Sequence, residues 1–169
     1  ALLEVSNLGV SFVTRNGVNR AVDDISFSVE SGKITAIIGE SGSGKSVACY
    51  SLLGLIPQPP GRIDSGRALF QGQDLLQMEE RELRKIRGRD IALVFQDPMT
   101  CLNPYMTIGK QMMEPLIYHA QVSQSEARAR ALELLEEVGI RDPESTIDNF
   151  PHQCSGGMRQ RGMFARALI

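Results

Sequence analysis

The stretch that most constrains this chain is residues 34–54, Ile-Thr-Ala-Ile-Ile-Gly-Glu-Ser-Gly-Ser-Gly-Lys-Ser-Val-Ala-Cys-Tyr-Ser-Leu-Leu-Gly. Its first five residues form a short apolar run rich in isoleucine, which predicts a strand buried on both faces. The next eight, Gly39-Glu40-Ser41-Gly42-Ser43-Gly44-Lys45-Ser46, match the pattern G-x-x-x-x-G-K-[ST]. Residues 47–53 then read as the first turns of a helix, with Gly54 as its stop. Strand, glycine-rich turn and helix in that order make a phosphate cradle. Gly39, Gly42 and Gly44 allow close approach and unusual φ angles, so backbone N–H groups can converge on an anion. The helix that follows presents the positive end of its dipole. Lys45 is the candidate catalytic cation, able to reach the β- and γ-phosphates of a triphosphate, and Ser46 offers a hydroxyl to Mg²⁺. Glu40, Ser41, Ser43 and Val47 belong to the same turn and helix start and complete the candidate nucleotide site.

The chain has 169 residues, enough for a sizeable core, and its 42% hydrophobic and 22% charged content is that of an ordinary globular protein. A net charge of −2 gives no reason to expect nucleic acid as a partner. There is no apolar run of about 18 residues that would span a membrane, and the first twelve residues do not resemble a signal peptide. Cys49, Cys101 and Cys154 are far apart and lack CxxC spacing, which suggests reduced thiols. His119 and His152 are the only histidines, and no metal site built from these residues is expected.

Along the chain, residues 2–12 read as strand pieces broken near residues 7–9, and Asn16-Gly17 is a hairpin signal. From 22 to 29, Ile25, Phe27 and Val29 alternate with Asp24, Ser26 and Ser28, predicting an antiparallel layer with one wet face. Residues 57–61 are a proline-rich loop, 67–70 a short strand, Gln71-Gly72 a turn and 75–86 an exposed amphipathic helix. Residues 91–95 read as a second buried strand running into Gln96-Asp97-Pro98-Met99-Thr100. From Thr107 the pattern is helical. Ser123-Gln124-Ser125-Glu126 matches a capping box, a helix follows to Val138, and Gly139 ends it, with Leu132, Leu135 and Val138 as its apolar stripe. Residues 142–148 read as polar loop. Phe150-Pro151-His152-Gln153-Cys154-Ser155-Gly156-Gly157-Met158-Arg159-Gln160-Arg161 then opens a last helix.

This order of motifs, glycine-rich loop, strand with Gln96, helical region and Ser155-Gly156-Gly157, resembles the nucleotide-binding subunit of an ABC transporter. The wording around Gln96 and Leu102-Asn103-Pro104, and Pro151-His152-Gln153 before the Ser-Gly-Gly turn, is similar to the dipeptide/oligopeptide importer branch. The resemblance implies an α/β fold: a P-loop NTPase core of the ABC type with an N-terminal antiparallel β layer and a helical subdomain. It implies three regions: 1–95, the β layer and P-loop core; 96–154, the Q-loop and helical subdomain; and 155–169, the signature motif and the start of its helix. Gln96 would be the Q-loop glutamine, touching Mg²⁺ and the attacking water, and the loop after it would face the membrane subunits. Ser155, Gly156 and Gly157 would meet the γ-phosphate of a nucleotide held by a second subunit. Phe12 stands where an aromatic that stacks on adenine is often found, although a strand core residue fits equally. Arg159 and Arg161 either add to the phosphate field or lie on a solvated face. Cys154, where an apolar residue is usual, and Cys101 read as packing residues.

The implied cofactors are ATP and Mg²⁺. The implied partners are a second ATPase subunit, in a homo- or heterodimer, and transmembrane permease subunits, with the protein peripheral on the cytoplasmic face of the inner membrane. The family's Mg²⁺-binding Asp, catalytic Glu and switch His have no counterparts up to Ile169. The chain therefore reads as an N-terminal portion, truncated before the Walker B strand, that binds nucleotide without turnover by itself. The other readings are a non-transport ABC ATPase of repair or translation, or a subunit of a phosphonate-degrading complex.

Overall fold

A computed structural model describes residues 1–96 and 101–169, so Asp97, Pro98, Met99 and Thr100 of the Gln96 motif lie outside the described residues. Two compact units divide the chain, Ala1–Arg84 and Lys85–Ile169.

The first unit is built on an antiparallel sheet of β1 (Leu3–Thr14), β2 (Gly17–Val29), β3 (Gly61–Phe70) and β4 (Gln73–Asp74), in the order β2-β1-β3-β4. β1 is central and pairs on both edges, Val5 with Phe27 and Ala68, and Val10 with Val22 and Ile63. The expected break near residues 7–9 is a bulge at which both registers shift. Asn7 adopts φ 51° there. Its N–H donates to Ser26 Oγ (2.9 Å), its Nδ2 donates to Asp24 Oδ1 (2.7 Å), and its carbonyl accepts from Ser65 Oγ (3.0 Å). An asparagine in the left-handed region is thus tied on three sides.

The β1–β2 hairpin forms as expected, but its two loop residues are Arg15 and Asn16, and Gly17 (φ 122°) already pairs with Thr14. Gln71 and Gly72, both at positive φ, make the β3–β4 turn, as a two-residue hairpin of this hand requires. In β2, Ile25, Phe27 and Val29 are half-buried while Asp24, Ser26 and Ser28 are exposed, the wet-faced layer that their alternation predicts. β3 extends six residues further upstream than its sequence signal, because it completes the second edge of β1. Helix α1 (Lys45–Leu52) packs on β1 and β2 and buries Ala48, Ser51 and Leu52; Val5, Leu8, Val10 and Val22 are buried in those strands.

Two strand expectations are corrected. Residues 34–38 form no strand: Ile34 is 101% and Ile38 93% exposed. A strand buried on both faces needs ladder partners on both edges, and none pairs with this run among the described residues. Residues 91–95 likewise contribute only an isolated bridge from Ile91 to Arg87, and Phe95 is 43% exposed. The expected helix over 75–86 is two pieces, a 3₁₀ turn (Leu75–Gln77) capped by Asp74 and helix α2 (Glu80–Ile86), within which the boundary between the units falls.

The second unit is helical: α3 (Ile108–Pro115), a π turn (Leu116–Ala120), α4 (Gln124–Glu137), α5 (Pro143–Ile147), a 3₁₀ turn (Pro151–Gln153) and α6 (Gly156–Leu168). The capping box at Ser123 and Glu126 forms in both directions, and Gly139 follows the C-cap at φ 79°. Leu135 is fully buried, with Leu132 and Val138 partly buried against the same core, joined by Ala131 and Leu134. Residues 142–148 are not loop. Asp142 caps α5, accepting from Ser145 N–H (3.2 Å), Pro143 opens it, and Thr146 and Ile147 are buried. Gly109 of α3 lies so close to Ile147 that an added Cβ would collide with its side chain.

Candidate functional site

The glycine-rich loop is exposed from Gly39 to Ser43 and enters α1 through Gly44. Gly42 (φ 82°) and Gly44 (φ 88°) hold backbone that an L side chain resists. At Gly44 space is closed as well, since a Cβ would run into the Ala21 carbonyl of β2. This close approach seats the start of α1 on the sheet. No side chain caps that start, and the first helical bond is Ala48 N–H to the Gly44 carbonyl (2.8 Å). The amides of Lys45, Ser46 and Val47 therefore have no acceptor within the helix.

Lys45 curls back over the loop. Its Nζ donates to the Gly39 carbonyl (2.8 Å), the Glu40 carbonyl (2.6 Å) and Ser43 Oγ (3.3 Å). Ser43 N–H bonds the Glu40 carbonyl (3.2 Å), closing the turn around the ammonium. The fold thus gathers Gly39, Glu40, Ser43 and Lys45 around one positive charge, with Gly42, Gly44 and Ser46 alongside; Ser41 and Ser46 are exposed. A ring of carbonyls around an ammonium, beside a row of uncapped amides, fits a polyanion that takes over the lysine and accepts from the amides. The exposed Ser46 hydroxyl is free of any cap role at α1 and fits a Mg²⁺ ligand of the oxygen type.

Phe12 is half-buried in β1, paired with Asn19 and Gly61. Gln96 is exposed at a bend in the second unit. Ser155 caps α6, its Oγ accepting from Met158 N–H (3.3 Å). Gly156 and Gly157 are exposed, and a Cβ at either would meet nothing within 4 Å. Neither has the positive φ that calls for glycine. No contact among the described residues demands these two glycines.

A cavity of about 380 Å³ lies beside this turn, lined by Ser155, Gly157, Met158, Arg161, Gly139 and Asp142 among others. Arg161 Nη1 donates to the Gly139 carbonyl (2.6 Å), while Arg159 buries its Nε with no acceptor among the described residues. Cys154 is buried in the helical core, where burial pushes its thiol above the usual range against the opposing charge of Arg159. A thiol held protonated there packs and does not react. Cys101 is half-buried.

Sequence reasoning missed Gln111. It is 3% exposed on α3, and its side chain accepts from Asn103 N–H (2.8 Å) and donates to the carbonyls of Asn103 (2.9 Å) and Met106 (3.0 Å). It thereby fixes the loop that carries Tyr105, which is 89% exposed. The available signal was a lone amide on the apolar side of a helix just after an Asn-Pro turn.

A glycine loop of this geometry leading into an uncapped helix fits the phosphate-binding element of the P-loop nucleotide-binding class. The ABC transporter family profile matches residues 22–169, and the chain belongs to that family. It is 49% identical over 167 residues to the oligopeptide transport ATP-binding protein OppD of Bacillus subtilis, covering 99% of this chain and 47% of that protein. Against the dipeptide transport ATP-binding protein DppD of Escherichia coli it is 49% identical over 168 residues, covering 99% and 51%. The chain spans about half the length of these relatives. Among solved structures, the dimeric ABC transporter cassette MJ0796 aligns at a TM-score of 0.86 and 28% identity, over 98% of this chain and 68% of that one. A post-hydrolysis dimer of the same cassette, bound to ADP and Pi, aligns equally well. No helix among the described residues is long and apolar enough to cross a membrane.

Proposed function

We propose that this chain is the nucleotide-binding part of an ATP-hydrolysing subunit that powers a di- or oligopeptide ABC importer. The observation that carries the reading is the uncapped start of α1, set in a glycine loop whose carbonyls hold the Lys45 ammonium. ATP would bind with its phosphates on the amides from Gly42 to Val47, and Lys45 would exchange the Gly39 and Glu40 carbonyls for phosphate oxygens. Mg²⁺ would be held by Ser46 and, in the assembled site, Gln96; it supplies charge neutralisation at the phosphates. Phe12 would lie against the adenine. Ser155, Gly156 and Gly157 would close on nucleotide held by a second ATPase subunit. That role gives a reason for two glycines that no contact among the described residues requires. The dimeric, ADP-bound cassette supports an assembly of this kind.

Peptide import is supported by the relatives named for oligopeptide and dipeptide transport, at about 49% identity over nearly the whole chain. Permease partners, and a place at the cytoplasmic face of the membrane, follow from the same reading. On this reading the 169-residue piece by itself binds nucleotide without turnover. The test is Lys45→Ala in the full-length subunit assembled with its partners. ATP hydrolysis should fall by at least about 100-fold, the loss expected when a preorganised charge at the transferring phosphoryl is removed. Hydrolysis and peptide uptake at wild-type rates would overturn the reading.

A further inference from the structure

We infer that Arg161 is a positioning residue for the Ser155-Gly156-Gly157 turn, acting through the end of α4 and not on the nucleotide itself. Its Nη1–H donates over 2.6 Å to the carbonyl of Gly139, the residue that follows the C-cap of α4. A Cβ on Gly139 would stand 3.5 Å from that nitrogen, an ordinary contact, so the glycine there answers to its φ of 79° and not to the arginine. The end of a helix carries carbonyls without intrahelical donors and the negative pole of its dipole, and a cation belongs there. Arg161 thus ties α6 to α4 six residues beyond the Ser155 cap.

The tie and the turn share one cavity of about 380 Å³: Gly139 and Arg161 line it together with Ser155 and Gly157. Packing also holds this end of α6: Met158 lies partly buried against the helical core, and Cys154, just before the turn, is buried in it. Its side-chain cap is a single long bond (3.3 Å), and Gly156 and Gly157 leave open space where side chains would pack. The buried contacts of the helix, Gly162, Met163 and Ala165, all lie further along it. The bond from Arg161 adds to that packing a polar tie to the end of α4, and so helps set the tilt of the first turn and the aim of its open amides. Amides that must meet a phosphate held by another subunit tolerate little misplacement, since an error of about 1 Å can cost on the order of 100-fold in rate.

This inference rests on the proposed role of the turn in a two-subunit ATPase. The experiment uses the full-length subunit assembled with its partners, carrying Arg161→Met, Arg161→Lys or Lys45→Ala. Arg161→Met should lower kcat on the order of tenfold, with KM and the melting temperature unchanged within about twofold and a few degrees respectively. Arg161→Lys, whose ammonium also reaches a carbonyl, should recover most of the loss. A merely structural role would lower the melting temperature together with activity. Arg161→Met at wild-type kcat, or Arg161→Lys no better than Arg161→Met, would overturn the inference. If Arg161→Met does not fold, Arg161→Gln, too short to reach Gly139, takes its place under the same criteria. Wild-type turnover in Lys45→Ala would remove the function reading; an inactive Lys45→Ala beside a fully active Arg161→Met removes only the positioning role.

Discussion

Gly44 shows how one residue joins local backbone to function. It sits at φ 88°, where an L side chain costs about 1–2 kcal/mol, and its missing Cβ leaves room for the Ala21 carbonyl. Overpacking adds about 1–3 kcal/mol. Gly44→Ala should therefore destabilise the full-length protein by about 2 kcal/mol or more, read from its denaturant midpoint, and weaken nucleotide binding in the fraction that remains folded. A variant with unchanged midpoint and affinity would show that the contact with β2 does not shape the loop. The glycine pattern and Lys45 were legible in the sequence because the spacing itself is the chemistry. The partners of Lys45 were not, since no spacing tells which carbonyls a flexible ammonium will collect. The same holds for Arg161, whose acceptor is a backbone oxygen twenty-two residues away.

At the scale of elements, caps were the most readable signals. Ser123 and Glu126 form their box, and Asp142-Pro143-Glu144 opens a helix that its polar composition disguised as loop. Charge then locks these pieces together. Arg128 on α4 grips Asp148, just past α5, with two bonds of 2.9 and 2.8 Å. The guanidinium holds the Asp148 carboxyl below its ordinary 3.8, and the Ser123 hydroxyl and N–H hold Glu126 below 4.5. Carboxyls lowered on folding stabilise fully above those ordinary values, and their contribution is lost as pH falls through the depressed ones. Asp148→Asn and Glu126→Gln should thus melt earlier than wild type at pH 7 and together with it near pH 2. A difference that persists undiminished in acid would assign it to shape and not to charge. The strands expected at 34–38 and 91–95 failed for the opposite reason. Apolar composition reports a wish to be buried, whereas a strand exists only where another strand pairs with it.

For the whole molecule, the account places phosphate on the Lys45 loop in one unit and gives the exposed Gly156-Gly157 turn of the other unit to nucleotide on a second subunit. The chain's membership of the ABC transporter family and its likeness to a dimeric cassette make that assembly the natural frame. Its most direct test is the structure of the full-length subunit pair with ATP and Mg²⁺, using a variant slow in hydrolysis. The account predicts the phosphates on the amides of Gly42 to Val47, with Lys45 Nζ moved from the Gly39 and Glu40 carbonyls to phosphate oxygens. It also predicts Gly157 of each subunit within hydrogen-bonding reach of the γ-phosphate held by the other. Nucleotide bound away from the Lys45 loop, or a closed pair in which the Gly156-Gly157 turns face no nucleotide, would contradict it.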